Sequence, residues 1–493
     1  MQPSYIDRLE DNQVCSDCIG EEHLRNLVIK SAVVNKQCSY CGSCGSVILL
    51  GDLADLVEEA FERHFLRTDT EPDSIQYGMM HNEAFKYTWE RDGSPIVCAI
   101  MDATRSSEKI AEDIRRFLEE KHFDFEKISM GEEGEFSAES HYEYITPGYS
   151  EWQTEWDFFE RTIKTEARFF NKIGVTQLSD LFDTVDEMRT FQGKSLIANV
   201  GPDADHISLY RARVFQNDER LKAAIKRPDK ELGAPPPGCA NSGRMNANGI
   251  SVFYGATSIK TALAEVRPPV GSKVAVAQFE IIRPIQLLDL TALEEVRETG
   301  SIFDPSYAYR LGRMMFLREL SKWIARPVMP DDQEMEYLPT QAIADFLATR
   351  GKVPLDGILF PSAQVNNDGL NIALFHKSSR CREIYIPEGA ELEASIPAAG
   401  KDSLESGYTV YEKLPLEEDI SSKGTSSVFP NPNHQAFNTL NYDNREETLS
   451  VNLKSITVHR VTAVKIKTSK GKVSRLTVEK HQNSSFEDAS DLL

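Results

Sequence analysis

The spacing of apolar residues changes near residue 205, and this change limits the possible folds more than any other feature of the sequence. Before it, apolar residues recur at helical spacing in residues 48–65, 106–123 and 151–174. After it come short runs typical of strands, which are residues 206–215, 251–256, 273–282, 285–290, 357–362, 371–375 and 383–386. The 493-residue sequence therefore predicts a multidomain α+β protein, with a helical N-terminal half and an α/β domain built on a mixed sheet.

The C-terminal part differs from both halves. Residues 396–447 are rich in Ser, Asn, Pro and Gly, as in 420-ISSKGTSSVFPNPNHQAFN-438, and this composition is typical of a linker. Residues 448–480 alternate between apolar and polar side chains. They predict a β-hairpin with its turn at Gly471, so we expect a small β tail over residues 448–493.

Five of the eight cysteines lie in the first 44 residues, in the pattern 15-CSDC-18 and 38-CSYCGSC-44. Two C-x-x-C turns at this separation predict a tetrahedral, structural Zn²⁺ site. Its ligands would be Cys15, Cys18, Cys38 and Cys41. Cys44 is an alternative to Cys41, and free thiols or a redox pair are the other interpretation. A helix is expected between the two turns. The predicted units are residues 1–48 (zinc knuckle), 49–200 (helical), 205–395 (α/β), 396–447 (linker) and 448–493 (hairpin tail).

The formal net charge of −22 is spread along the whole chain. A negative field repels phosphate backbones, so general nucleic-acid binding is not expected, although a local arginine cluster can still hold a small anion. No apolar run approaches the ~18–20 residues of a membrane span. The first residues also lack the basic and apolar regions of a signal peptide. We therefore expect a cytoplasmic protein without membrane contact.

Two arginines stand where an anion would stabilise them. Strand alternation in 206-HISLYRARVF-215 places Arg211 and Arg213 on the same face as Ile207 and Leu209. A cation on that face requires either an internal carboxylate or a bound ligand. Arg244 lies in 242-SGRMNANGIS-251, a loop whose glycines and asparagines admit unusual backbone angles. Such a loop brings a guanidinium and backbone amides close to a phosphate, although it is also consistent with a simple hairpin loop.

Three further polar residues follow these arginines. Tyr254 lies on the strand 251–256, and Glu265 lies at the edge of the buried stripe of the next helix. Glu265 reaches either a cleft or the solvent. Ser362 follows a strand end, where ligand sites often form, and its other interpretation is a turn serine. No His–Asp pair accompanies Ser362, so it is not expected to act as a triad nucleophile.

Taken together, these residues resemble the RES domain family. The matching pieces occur in the family's order and span about residues 205–390; they are 209-LYR-211, 243-GRMN-246, 254-YGA-256, 263-LAE-265, 357-GILFPS-362 and 371-NIALF-375. The resemblance implies an ADP-ribosyltransferase-like fold and NAD⁺ as substrate. It also implies that Arg211 and Arg244 hold the phosphates and that Tyr254 contacts the ligand. Glu265 would stabilise the oxocarbenium-like transition state, and Ser362 would hydrogen-bond in the same pocket, with Arg211, Glu265 and Ser362 as the catalytic set.

The sequence departs from the family pattern in three ways. Met245 replaces the usual tryptophan, and Ser242 replaces the first glycine. Insertions separate Arg211 from Arg244 and add residues near 291–350, where they would form a lid, a partner surface or outer decoration.

The N-terminal half resembles the cysteine-bearing modules that precede RES domains and are grouped with HEPN domains. The HEPN ribonuclease pattern Arg-x(4–6)-His fits Arg116 and His122. Two hypotheses follow. The first is a cytoplasmic NAD⁺-consuming enzyme of the toxin or defence type, acting by hydrolysis or phosphorolysis, with an antitoxin or regulatory partner and with oligomers possible. The second is a protein ADP-ribosyltransferase, or a HEPN-type ribonuclease or binding module with a degenerate RES domain.

Overall fold

The computed structural model of the protein describes residues 9–31, 33–81, 87–204, 207–365, 369–397, 407–415, 443–466 and 468–475. Most of the expected linker 396–447 and the end of the expected hairpin tail, residues 476–493, lie outside these ranges. None of the described helices combines the length and the apolar character that a membrane crossing requires.

The described residues up to residue 145 include two small antiparallel sheets, β1-β3-β2 and β4-β6-β5, with helices packed against them. The strands are β1 Gln13–Cys15, β2 Val33–Gln37, β3 Cys44–Leu49, β4 Phe65–Arg67, β5 Ser94–Pro95 and β6 His141–Tyr144. The helices are α1 Glu22–Ser31, α2 Leu50–His64, α3 Ser74–Met80, α4 Ile96–Thr104, α5 Glu108–Lys121 and α6 Phe125–Ser129. Helices α2, α4 and α5 bury their apolar stripes in one core. The expected helix between the cysteine turns ends at Ser31, and β2 follows it.

The helix expected over residues 151–174 is α7 Ser150–Thr165, and a second helix, α8 Lys172–Phe182, follows it. The expected end at residue 174 is wrong because the chain turns between the two helices. Phe170 adopts a left-handed backbone conformation, with φ of 59°. The Asn171 side chain then accepts a hydrogen bond of 2.9 Å from the Gly174 amide and caps α8.

The second half of the chain is built on an eight-stranded sheet in the order β16-β10-β8-β9-β13-β12-β11-β7. Its strands, with those of a separate two-stranded sheet (β14 and β15), are β7 Ile197–Val200, β8 Leu209–Phe215, β9 Phe253–Ala256, β10 Lys273–Ile281, β11 Ile285–Asp289, β12 Gly357–Pro361, β13 Leu370–Leu374, β14 Glu391–Ser395, β15 Thr409–Lys413 and β16 Leu449–Arg460. The β11–β12 pair is parallel and the other pairs are antiparallel. The predicted mixed sheet is therefore confirmed.

Both faces of this sheet are covered. The helices of this half are α9 Asp218–Lys226, α10 Pro228–Glu231, α11 Ile259–Glu265, α12 Pro305–Ala325, α13 Gln333–Glu336 and α14 Leu338–Thr349. Strand alternation divides the apolar residues, so that Leu287 and Leu359 join the core on the α9 face, while Leu288 and Ile358 join the opposite core. That opposite core also contains residues of α7, α8, α12 and α14. The N-terminal helices α7 and α8 thus share a core with the insertion.

Two expected β elements differ from the structure. Residues 383–386 are not a strand; the Ile384 amide donates to the Asp229 carboxylate at 3.0 Å instead of to a neighbouring strand. The hairpin expected in residues 448–480 is, within its described residues, the single strand β16, which pairs antiparallel with β10 and forms one edge of the main sheet. The residues around Gly471 form no strand. Alternation predicted extended structure correctly in β16 but did not identify its partner.

Candidate functional site

A cleft opens where strands β8 and β9 separate. The two strands are paired only at Tyr210 and Ala256. Beyond this pair no ladder of backbone hydrogen bonds joins these two described strands, and the space between them is open. The cleft has a volume of about 480 Å³, within the range usual for small-molecule sites. Of the five residues predicted for the NAD⁺ site, four line this cleft, namely Arg211, Arg244, Tyr254 and Glu265. Ser362 is fully buried and contacts Glu265 from below the surface.

Arg211 projects from β8 with its guanidinium 4.9 Å from the centre of the Phe253 ring. Its Nη1 is buried and has no hydrogen-bond partner among the described residues. Burial lowers the pKa of this guanidinium to about 10, and the nearby Arg213 acts in the same direction. The side chain is therefore still charged at neutral pH. A buried cation without a counter-charge is an unfavourable arrangement that a bound anion would relieve.

Arg244 lies in the loop that leads into β9. Its Nη2 donates to the Arg326 carbonyl at 2.7 Å, and its guanidinium lies 5.2 Å from the centre of the Tyr337 ring. Burial lowers its pKa, while the nearby Tyr337, Tyr254 and Glu265 act in the opposite direction. The second predicted phosphate ligand is thus held at the cleft by residues of the insertion.

The Tyr254 hydroxyl organises the same loop. It donates to Asn246 Oδ1 at 2.8 Å and accepts from the Met245 amide at 2.9 Å. Burial raises the pKa of this hydroxyl, so it remains neutral and able to donate. Gly243 is required here, because a Cβ at this position would lie 2.6 Å from Asn246 Oδ1 and 2.8 Å from the Tyr254 hydroxyl. The loop and β9 therefore approach too closely for any side chain at residue 243.

Glu265, the last residue of α11, is held by two hydrogen bonds to one oxygen. Its Oε1 accepts from Ser362 Oγ at 2.5 Å and from Asn371 Nδ2 at 2.7 Å. The remaining oxygen, Oε2, has no partner within the described ranges. The carboxylate is exposed to the cleft, whereas both of its donors are buried. This arrangement fixes the orientation of one carboxylate and leaves its other oxygen available to a ligand.

The charge at the cleft is opposite to that of the protein. Its charged lining residues are Arg211, Arg244, Arg267 and Glu265, in a chain with a formal net charge of −22. Three cations and one anion around a concave surface attract an anionic ligand. The fixed carboxylate also provides a place for positive charge to develop beside the bound anion.

One wall of the cleft comes from the insertion near residues 291–350, for which the sequence left open a lid, a partner surface or outer decoration. The insertion residues that line the cleft are Ala325, Pro327, Val328, Gln333 and Tyr337. Asn371 begins the motif 371-NIALF-375, which by itself predicts no contact between its side chain and Glu265. Nothing in the local sequence around Tyr337 indicates a site, because its relevance depends on where α12 and α14 pack.

Met245 and Ser242, the two departures from the family pattern, lie away from the cleft surface. The Met245 side chain is 2% exposed and packs in the core shared with α7 and α8. Ser242 Oγ accepts from Gln341 Nε2 at 3.0 Å. The methionine therefore affects the cleft through its backbone amide, which supports the Tyr254 hydroxyl.

The four predicted cysteine ligands come together at the end of β1. The Sγ atoms of Cys15, Cys18, Cys38 and Cys41 all lie within 4.8 Å of one another. Sγ–Sγ distances are 3.4 Å for Cys15–Cys41 and 3.6 Å for Cys15–Cys18. A tetrahedron with Zn–S bonds of ~2.3 Å has edges of about 3.8 Å, so the cluster fits Zn²⁺. Cys44 is exposed and is not part of this cluster.

Arg116 and His122, the HEPN-type pair, lie beside a different and larger cavity of about 1390 Å³. Arg116 contacts Glu112 at 2.7 Å, and His122 Nε2 contacts Glu58 Oε1 at 2.5 Å. Six glutamates also line this cavity, which are Glu119, Glu120, Glu132, Glu133, Glu135 and Glu139. These carboxylates repel a phosphate backbone. The larger volume of this cavity therefore does not make it a better candidate site for a phosphate-bearing ligand than the cleft at Arg211.

The fold and the cleft together define an α/β domain that presents two arginines and an oriented carboxylate. Residues 208–395 match the model of the RES domain family, so the chain contains a RES domain. A RES domain is consistent with an enzyme that acts on NAD⁺. No curated protein and no solved structure matches the chain.

Proposed function

We propose that this protein is an NAD⁺-consuming enzyme that cleaves the bond between nicotinamide and ribose by hydrolysis or phosphorolysis. The observation that carries the proposal is the cleft itself. Within the described residues, a guanidinium whose buried Nη1 has no partner, a second arginine and a carboxylate with one free oxygen line a cavity of suitable size. The RES domain match supplies the substrate class.

The arrangement suits the chemistry of this bond. A diphosphate is bound by guanidinium groups through paired, charge-assisted hydrogen bonds, which Arg211 and Arg244 would supply. When the glycosidic bond breaks, its electron pair leaves with neutral nicotinamide and positive charge builds on the ribose. Glu265, oriented by Ser362 and Asn371, would stabilise that charge. Water or phosphate then forms the new bond to the ribose carbon, and the proton of an attacking water passes to solvent.

The decisive experiment incubates the purified protein with NAD⁺, with and without phosphate, and measures released nicotinamide. Glu265→Gln is expected to lower the rate by roughly 100-fold or more, because it removes the negative charge that stabilises the transition state. Glu219→Gln, an exposed glutamate on α9, is the matched control and should leave the rate unchanged. No release by the wild-type protein in vitro together with no growth toxicity in cells, or an unchanged rate for Glu265→Gln, contradicts the proposal.

The same assay separates the related reactions. A rate that depends on phosphate indicates phosphorolysis, and a rate that does not indicates hydrolysis. Transfer of labelled ADP-ribose to a protein band would indicate the alternative function, a protein ADP-ribosyltransferase. A HEPN-type ribonuclease is favoured by no observation at Arg116 and His122. We further propose that the four-cysteine cluster holds a structural Zn²⁺, and an antitoxin or regulatory partner remains a prediction.

A further inference from the structure

The insertion between β11 and β12 supplies an aromatic ring to the cleft. Tyr337 lies between the short helix α13 and the start of α14, and its ring faces the guanidinium of Arg244 at 5.2 Å. A cation over an aromatic ring is attracted by the ring's electron-rich face, and the attraction grows when both groups are partly desolvated. Tyr337 therefore interacts directly with one of the two arginines placed for the diphosphate.

The insertion also holds the backbone of the arginine loop. Thr340 Oγ1 donates to the Arg244 carbonyl at 2.6 Å, and Gln341 Nε2 donates to the Gly243 carbonyl at 2.8 Å. Both donors lie on the first turns of α14, immediately after Tyr337. The loop that contains Arg244 is thus held by the N-terminal end of α14, and Tyr337 lies at the same end of that helix.

The Arg244 side chain meets a second part of the insertion. Its Nη2 donates to the carbonyl of Arg326, the residue that ends α12. Carbonyl groups at a helix C-terminus carry partial negative charge and favour a cation. Ring, carbonyl and loop anchors together leave the guanidinium facing the cleft, in one orientation, before any ligand is bound.

We propose that Tyr337 is a positioning residue for nucleotide binding, which acts by holding Arg244 in the orientation that receives the diphosphate of NAD⁺. This inference rests on the proposed function for the identity of the ligand. It assigns a role to the insertion, which adds an aromatic ring to the cleft, whereas the Met245 side chain is buried in the core.

The test measures binding of ADP-ribose and of inorganic pyrophosphate by calorimetry, beside the steady-state kinetics of NAD⁺ cleavage. Loss of a partly desolvated cation–ring contact corresponds to a roughly 5- to 30-fold change in affinity. Tyr337→Ala should weaken the binding of both ligands by that factor. It should also raise KM more than it lowers kcat, because the contact stabilises bound substrate and transition state alike. Tyr337→Phe, which keeps the ring, should bind both ligands as the wild-type protein does.

Two further variants serve as controls for the role of the Tyr337 ring. Tyr337→Leu keeps most of the side-chain volume without the ring, so it replaces Tyr337→Ala if the smaller residue destabilises the fold. Met329→Ala changes an exposed side chain of the same insertion outside the cleft and should have no effect.

The outcomes separate this inference from the proposed function. Unchanged binding by Tyr337→Ala or Tyr337→Leu, or binding by Tyr337→Phe as weak as that of Tyr337→Leu, overturns the role of the ring. A wild-type protein that binds neither ADP-ribose nor pyrophosphate also overturns it. If the wild-type protein binds ADP-ribose in a Tyr337-dependent way but releases no nicotinamide from NAD⁺, the positioning role stands and the proposed reaction fails.

Discussion

Arg211 differs from Arg115 and Arg91 in having no carboxylate partner among the described residues. Arg115, for comparison, contacts both Glu112 and Glu119, and Arg91 contacts Glu133 at 2.7 Å. The sequence left open whether Arg211 meets an internal carboxylate or a ligand. Within the described residues no carboxylate reaches it, and this observation supports the ligand interpretation.

We predict that Arg211→Met weakens the binding of ADP-ribose without lowering the thermal stability of the protein. Because burial depresses the pKa of Arg211 in the folded state, its charge opposes folding at neutral pH, and this cost is lost only as the pH rises through about 10. The variant should therefore unfold at the same temperature as the wild-type protein or a higher one. Its affinity for ADP-ribose should fall roughly 10- to 100-fold, as expected for lost hydrogen bonds to a charged group.

Arg213→Met is the matched control for this prediction, since Arg213 lies two residues along β8, is exposed and contacts Glu231. It should leave ADP-ribose binding unchanged. Thermal unfolding and calorimetry provide both measurements. A marked drop in unfolding temperature with unchanged binding would assign Arg211 a purely structural role.

The sequence predicted the polar residues of the cleft better than its walls. Arg211, Arg244, Tyr254 and Glu265 each lie in a short motif, and the order of those motifs carried the resemblance. Their roles in binding and catalysis stay predictions. Tyr337 lies in no motif and more than 80 residues after Tyr254, so only the packing of the insertion brings it to the cleft.

Helices and strands were predicted correctly where the local sequence pattern determines them. They were missed where pairing with a distant strand determines them. Helix α11 begins where Ser258 caps it, with the serine hydroxyl accepting from the Thr261 amide at 3.1 Å, and serine is a common residue at this position. By contrast, β16 depends on β10, which lies some 170 residues earlier. The alternating pattern of residues 448–480 contains no information about that partner, and the expected hairpin was therefore wrong.

The cysteine cluster provides a prediction for a single element. Purified protein should contain one Zn²⁺ per chain, and its removal by a chelator should lower the unfolding temperature, because metal bound only by the folded state stabilises that state. Cys41→Ser should lose the metal. Cys44→Ser removes a neighbouring thiol outside the cluster and should retain it. Metal analysis beside thermal unfolding measures both effects, and equal metal loss in the two variants would refute the ligand set.

At the scale of the whole molecule, the insertion connects the N-terminal half to the cleft. Phe303, just before α12, packs in the core formed by α2, α4 and α5, while later residues of α12 and α14 pack against α7 and α8. Lys164 of α7 contacts Glu336 at 2.9 Å, next to the residue that faces Arg244. The N-terminal half is therefore packed directly against the wall of the cleft.

We predict that residues 208–395, the part matched by the RES family model, do not fold stably alone. This fragment lacks β7 and β16, which are the two edges of the main sheet, and lacks the helices α7 and α8 that cover one face. Its exposed apolar surface should cause aggregation. A fragment of residues 150–475 restores these elements and should be soluble with a cooperative unfolding transition. Light scattering and thermal unfolding of both fragments test this, and cooperative unfolding of the shorter one would contradict it.

The single residue pair between β8 and β9 has one more consequence. At that point the eight-stranded sheet is two smaller sheets in contact, with β16, β10 and β8 on one side and the other five strands on the opposite side. Arg211 belongs to the first group, and Arg244 and Tyr254 belong to the second. A diphosphate bound by both arginines would link the two groups of strands. The ligand would then provide a connection that backbone hydrogen bonds between β8 and β9 do not.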